Sequence, residues 1–222
     1  IKIIKSKLLF NQKHNLFKSS KCSNLIKSFS YISSFNSNHQ YTDPFFGKLR
    51  LFLNSGIIEN VVTIVDLAES PLYIKKKIKN NQENIIPVDN YYFFEDFIKA
   101  IISSFKQLFF SQFVVKERVF FFEEDISKFL QLVFSFRYWN FDFSHYLYFY
   151  IGCRVAKIYP NLKVCILTYE GMAWERMFIF GLKKVNPNIH VIGYQHAVVP
   201  QSALSVFVGK KELELTPQPD LV

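Results

Sequence analysis

The feature that most constrains this chain is a strand–helix–strand pattern near its end. Lys163–Thr168 (KVCILT) is a nearly continuous apolar run, as expected of a strand covered on both faces. Met172–Val185 then places Trp174, Met177, Phe178, Gly181, Leu182 and Val185 on one helical face. Pro187-Asn188 ends the helix, and Ile189–Tyr194 (IHVIGY) reads as a second strand. Strands joined through a helix pair in parallel, and the default hand of such a crossover is right-handed.

The preceding chain alternates in the same way. Val61–Leu67 (VVTIVDL) is a β-branched run closed by Asp66, Glu69 and Pro71, which suit a turn into a helix carrying Lys75, Lys76, Lys77 and Lys79. Ile85–Val88 is a short strand candidate. Phe93, Phe94, Phe97, Ile98, Ile101, Ile102, Phe105, Leu108 and Phe109 recur at helical spacing. Val114–Phe122 reads as a strand interrupted by Lys-Glu-Arg, Ile126–Phe134 repeats the helical spacing, and Ser144–Tyr159 reads as a helix stopped by Pro160-Asn161. This alternation predicts an α/β fold with a mostly parallel sheet.

Charge divides the chain. Of 222 residues, the first 42 carry seven Lys and no acid, whereas residues 43–222 carry 20 basic and 18 acidic side chains. Residues 1–42 lack clean periodicity and read as a basic, weakly structured segment, with Asp43-Pro44 marking the start of the folded part. Such a segment suits an anionic membrane surface, or a targeting role, although it has no arginine and no compact apolar core with a cleavage site. It carries no accompanying single-strand binding motif, so nucleic acid is not expected as a partner. The first residue is Ile1, which reads as a fragment, a processed form or an incomplete reading frame. Cys22, Cys153 and Cys165 make an odd count without CxxC spacing, which points to free thiols in a reducing compartment. The apolar stretches 101–122 and 129–151 each contain several charged residues, so neither is expected to span a membrane.

The candidate chemistry collects at the ends of the last two strands, where open α/β sheets bind ligands. Glu170 follows a buried strand and precedes a helix, so it can act as a general base, grip substrate hydroxyls, or simply favour the helix dipole. Gly171 allows a sharp turn or close backbone approach, yet the chain has no GxGxxG or P-loop pattern. Trp174 either packs on the sheet or stacks on a sugar, and Glu175 is either a ligand-binding or a solvated first-turn acid. His196 ends Gly193-Tyr194-Gln195-His196 beyond a strand, where an imidazole can serve as acid, base or phosphate ligand. Gln195 can orient a hydroxyl or cap a turn. Asp66 and Glu69 close another strand and are candidates for the same rim. The other histidines share no metal-ligand spacing, and Ser202 and Ser205 lie in no GxSxG elbow.

The stretch TYEGMAWERMFIFGLKKVNPNIHVIGYQHAVVP resembles bacterial surface-carbohydrate biosynthesis proteins (O-antigen or capsule type) of the GT-B glycosyltransferase kind. In those proteins an acidic residue and Trp-Glu open a helix, and a following strand ends in Gly-x-Gln-His. The matching positions are Glu170, Trp174, Glu175, Gly193, Gln195 and His196. Pro217-Gln218-Pro219-Asp220 is similar to the linker that precedes their second domain.

The resemblance implies a Rossmann-like acceptor-side domain over residues 43–216, with helices on both faces of the sheet, followed at 217–222 by the start of a linker to a second, absent domain. It implies transfer of a sugar from a nucleotide-activated donor, which is a substrate rather than a cofactor, to a glycan or lipid-linked acceptor. Glu170 and His196 would do acid–base or phosphate-stabilising work, and Gly171, Trp174, Glu175, Tyr194 and Gln195 would hold substrate. No metal is required where helix amino-termini and cations stabilise the departing diphosphate. The implied location is cytoplasmic, with peripheral contact at the inner face of the cell membrane through the basic segment. Two alternatives stand beside this reading, a non-catalytic binding or scaffold module and a polyol-phosphate transferase.

Overall fold

The computed structural model describes residues 22–36, 40–55, 61–79, 84–111, 118, 120–121, 123–129, 132, 143–196 and 216–222. Its strands are β1 (Asn24–Ser30), β2 (Val61–Leu67), β3 (Ile85–Pro87), β4 (Phe120–Phe121), β5 (Glu124–Asp125), β6 (Val164–Thr168) and β7 (His190–Tyr194). The helices are α1 (Leu49–Ser55), α2 (Pro71–Lys79), α3 (Phe94–Ser111), α4 (Ser144–Ile158) and α5 (Ala173–Val185). The chain divides into two compact units, Phe93–Leu147 and the remainder, Ile1–Tyr92 with Tyr148–Val222.

The larger unit is an α/β, Rossmann-like fold. Five strands pair in the order β3-β2-β1-β6-β7, and every pairing is parallel. The β6–α5–β7 pattern forms as the sequence predicts, with the strands in register from Val164↔His190 to Thr168↔Tyr194. Burial explains the composition: Cys165, Leu167, Val191, Phe178, Ile179 and Leu182 are all fully buried. Ile74 and Ile78, one turn apart on α2, pack with Val65, Ile85, Phe35 and Tyr41. The lysines of α2 are less solvated than a simple polar face would be, since Lys75 pairs with Asp89 at 2.7 Å and Lys77 lies over the Tyr73 ring.

Two boundaries differ from the sequence reading. The segment 1–42, read as weakly structured, contributes β1, the central strand of the sheet, paired with both β2 and β6. Its Lys27 breaks the apolar run, yet the side chain is fully buried. A domain confined to 43–216 would therefore lack its middle strand. The part read as linker, 217–222, instead lies along the outer edge of β7: Gly193 N–H donates to Leu221 O at 2.8 Å and Asp220 N–H to Val191 O at 2.8 Å. The residues before 22, which hold most of the basic segment, and those of 197–215 lie outside the described residues.

The smaller unit contains α3, whose phenylalanine spacing gives the expected helix; Phe97 stacks edge-on against Phe143 at 4.8 Å. Of the strand read over 114–122, Phe120–Phe121 is described and pairs antiparallel with β5. Among the described residues no helix is long and apolar enough to cross a membrane.

Helices α4 and α5 meet at two glycines. A Cβ on Gly181 would lie 2.1 Å from Phe149 O, and one on Gly152 would lie 2.3 Å from Phe178 O. Both contacts are backbone to backbone, so neither can relax by a side-chain rotation. Helix propensity alone favours alanine over glycine by about 1 kcal/mol. Gly181→Ala should nevertheless destabilise the protein by about 2 kcal/mol or more, because the helices must move apart. Denaturant midpoints of the two proteins measure this, and a neutral or stabilised variant would show that the helices do not pack this closely.

Candidate functional site

The order β3-β2-β1-β6-β7 contains one reversal. The chain builds outward from β1 to β3, then returns to the other side of β1 with β6 and β7. At that switch point the connections leave β1 and β6 in opposite directions, opening a crevice beyond their carboxyl ends. The residues there are Ser30 and Tyr31 at the end of β1, and Thr168, Tyr169 and Glu170 at the end of β6.

Glu170 and His196 come together at this rim. The Glu170 Oε1 lies 3.3 Å from His196 Nε2, with side-chain exposures of 31% and 23%. A carboxylate on Nε2 fixes the ring's orientation and favours the tautomer with the proton on that nitrogen. His196 is also held by Phe45, whose ring centroid is 4.3 Å from the imidazole in an edge-on arrangement. Tyr194 is exposed and packs its ring 5.2 Å from Phe46. Gln195 lies between Tyr194 and His196, half-buried.

The loop that carries Glu170 is built from the next helix. Gly171 takes φ +74°, a left-handed conformation that glycine adopts without strain. Glu175 is 2% exposed, so it is not a solvated acid. Its carboxylate turns back to accept the backbone N–H of Glu170 at 3.0 Å and of Met172 at 2.8 Å. Burial pushes the Glu175 carboxyl up to about 7, with the Glu170 charge adding to it and the backbone N–H groups opposing. The Glu175 carboxylate thus closes the turn that leads into α5.

Trp174 faces inward to a cluster the sequence reading missed. Its ring is 5.7 Å from Phe29 and 5.0 Å from Tyr148. Beneath these rings lies Lys27 Nζ, 5.1 Å from Trp174, 5.2 Å from Phe29 and 5.7 Å from Tyr148. Lys27 forms an ion pair with Asp66, whose other oxygen accepts the Tyr148 hydroxyl at 2.6 Å. Asp66 therefore serves a buried lysine rather than lining the open rim. Glu69 accepts the backbone N–H of Ile32 at 3.2 Å. The signal for Lys27 was present in Asn24–Ser30 (NLIKSFS), a short apolar run in which a lone lysine replaces a core residue.

Asp43, read as a boundary, is the second missed residue. It is 5% exposed. Its Oδ1 accepts Ser28 Oγ at 2.9 Å, Phe45 N at 2.9 Å and Phe46 N at 3.0 Å, while Oδ2 accepts the Tyr41 hydroxyl at 3.1 Å. These bonds pin the 43–47 loop to β1 and bring Phe45 and Phe46 against His196 and Tyr194. Among the described residues, no three His, Cys, Asp or Glu side chains gather as a metal site.

The raised Glu175 carboxyl links stability to pH. Its proton is bound more tightly in the folded state, so the stabilisation is complete below about 4.5 and is lost as pH rises to about 7. Relative to Glu175→Gln, the native protein should lose on the order of 3 kcal/mol across that interval and change little above it. Paired denaturant titrations against pH measure the difference. A constant offset would show that Glu175 titrates normally.

No protein-family model, curated protein or solved structure matches this chain, so its functional reading rests on this geometry.

Proposed function

We propose that this chain is the acceptor-side domain of a glycosyltransferase-like protein acting in surface polysaccharide assembly. The observation that carries the proposal is the Glu170–His196 pair, 3.3 Å apart and part-exposed at the switch point of a parallel sheet. A carboxylate-oriented imidazole at this position suits the removal of a proton from a substrate hydroxyl. In the proposed reaction His196 takes the proton of an acceptor hydroxyl as its oxygen attacks the anomeric carbon of an activated sugar. The bond from that carbon to the nucleoside diphosphate breaks, and the electron pair leaves with the diphosphate. Glu170 stabilises the imidazolium that forms, and Glu175 holds the Glu170 loop in place.

The neighbouring residues support a sugar acceptor. Tyr194 presents an exposed aromatic ring beside His196, and Gln195 adds an amide at the same rim. Trp174 contributes through packing, since its ring is engaged by Phe29, Tyr148 and Lys27. Glu175 is withdrawn from direct substrate contact by its backbone hydrogen bonds.

The test is transfer from a panel of nucleotide-sugar donors to free and lipid-linked glycan acceptors, read as nucleoside diphosphate released. In the full-length protein, with its donor-side domain, transfer should occur with at least one pair, and His196→Ala should lower kcat by about a hundredfold or more. Glu170→Gln should lower it less, because the imidazole remains. Transfer that is indifferent to His196→Ala removes it as the base. Glycan binding without transfer by any donor would support a non-catalytic module instead.

A further inference from the structure

The 216–222 segment is fastened to the edge of β7 by side chains as well as by backbone. Asp220 accepts the Val191 N–H at 2.7 Å and pairs with Lys183 of α5, while its own N–H donates to Val191 O at 2.8 Å. Two residues earlier, Gln218 Oε1 accepts the hydroxyl of Tyr169, and Gln218 Nε2 donates to Thr216 Oγ1 at 2.9 Å. Pro219, between them, fits against Gly193, where a Cβ would lie 2.9 Å from Pro219 Cγ and 2.9 Å from Tyr169 Cβ. An edge strand needs only a cover for its backbone groups. The bond to Gln218 reaches past the edge, to the residue that leads into the Glu170 loop.

Tyr169 links that bond to the site. It is 3% exposed, and its backbone N–H donates to Tyr194 O at 3.0 Å. Close packing holds such a ring in one orientation, so a change at its hydroxyl is passed to its own backbone. The next residue is Glu170, whose N–H donates to Glu175 at 3.0 Å and whose Oε1 lies 3.3 Å from His196 Nε2. Glu175 fixes the backbone of Glu170 from the α5 side. Gln218 fixes the residue before it from the β7 side.

We infer that Gln218 is a positioning residue for the Glu170–His196 pair and acts through the Tyr169 hydroxyl. The inference rests on the reading of that pair as catalytic and adds an element that sets its geometry. The Glu170 carboxylate counts most when His196 becomes an imidazolium, which happens in the transition state. Loosening Glu170 therefore slows the proton transfer and leaves acceptor binding intact. The seat of the 216–222 segment on the outer strand is thereby coupled to the imidazole at the rim.

Tyr169→Phe and Gln218→Leu each remove the bond and keep the approximate shape of the side chain, whereas Gln218→Glu keeps the acceptor. The His196 imidazole is read through its Nε2–Hε1 NMR cross-peak, with Glu170→Gln marking the position reached when the carboxylate is lost. Tyr169→Phe and Gln218→Leu should each move the cross-peak part of the way to that position, and Gln218→Glu should leave it in place. In the full-length protein Tyr169→Phe should lower kcat about fivefold with KM unchanged within about twofold, and should add nothing to Glu170→Gln. The inference falls if the cross-peak stays in place in both bond-removing variants, or if Gln218→Glu moves it as far as Gln218→Leu does. It also falls if the effects of Tyr169→Phe and Glu170→Gln on kcat multiply, as those of independent structural changes do. A cross-peak that moves as expected in a protein that transfers no sugar keeps the positioning role and removes the catalytic reading alone.

Discussion

The buried pair of Lys27 and Asp66 is the interaction on which the site's architecture depends. A lysine without exposure in the central strand is costly unless its charge is answered. Here the answer comes from β2 through Asp66, from α4 through Tyr148 and from α5 through Trp174. Burial raises the Tyr148 hydroxyl well above its ordinary range, and the Asp66 charge adds to the effect, so it remains a donor to Asp66. One ammonium group thereby fixes two helices against two strands. Removing a single member would leave an opposite charge buried and alone, a cost of about 3–5 kcal/mol. The placement of α5, and with it the loop of Glu170, follows from this cluster on the opposite face of β1 from Asp43.

Two acids five residues apart then take separate roles because their surroundings differ. Glu175 is enclosed by the turn it closes, and its hydrogen bonds go to backbone amides. Glu170 projects from that turn, retains 31% exposure and reaches the imidazole of His196. The acid that faces the rim is therefore Glu170, not Glu175.

How much of this was legible depended on whether a signal was local. The β6–α5–β7 unit could be read because its apolar periods, its Pro187-Asn188 stop and its rim residues lie within one short stretch. The positions of Glu170 and His196 at neighbouring strand ends followed from the parallel register. The central strand was hidden because Lys27 interrupts its pattern, and only partners from residues 66, 148 and 174 make that lysine acceptable. Asp43 looked like a boundary because Asp-Pro is common in turns. Its bond to Ser28 instead makes it the anchor of a loop over the site. Glu175 matched the motif as a possible ligand, but its spacing of three from Met172 also allowed the helix-closing bond that forms. A motif names residues, whereas burial decides which of them can meet a substrate.

The edge of β7 shows how closely the remaining pieces are tied to the rim. Asp220 accepts the Val191 N–H at 2.7 Å and pairs with Lys183 of α5. Gln218 accepts the hydroxyl of Tyr169, the residue preceding Glu170. This approach is possible because Gly193 has no side chain: a Cβ there would meet Pro219 and Tyr169 at 2.9 Å. The glycine of the Gly-Tyr-Gln-His sequence thus has a packing role that is independent of ligand. It allows the 216–222 segment to cover the outer strand edge, where unpaired N–H groups would otherwise face solvent. The same contact steadies Tyr169 on one side of Glu170 while Glu175 holds the backbone on the other. The position of Glu170 is thus constrained from both flanks of the residue.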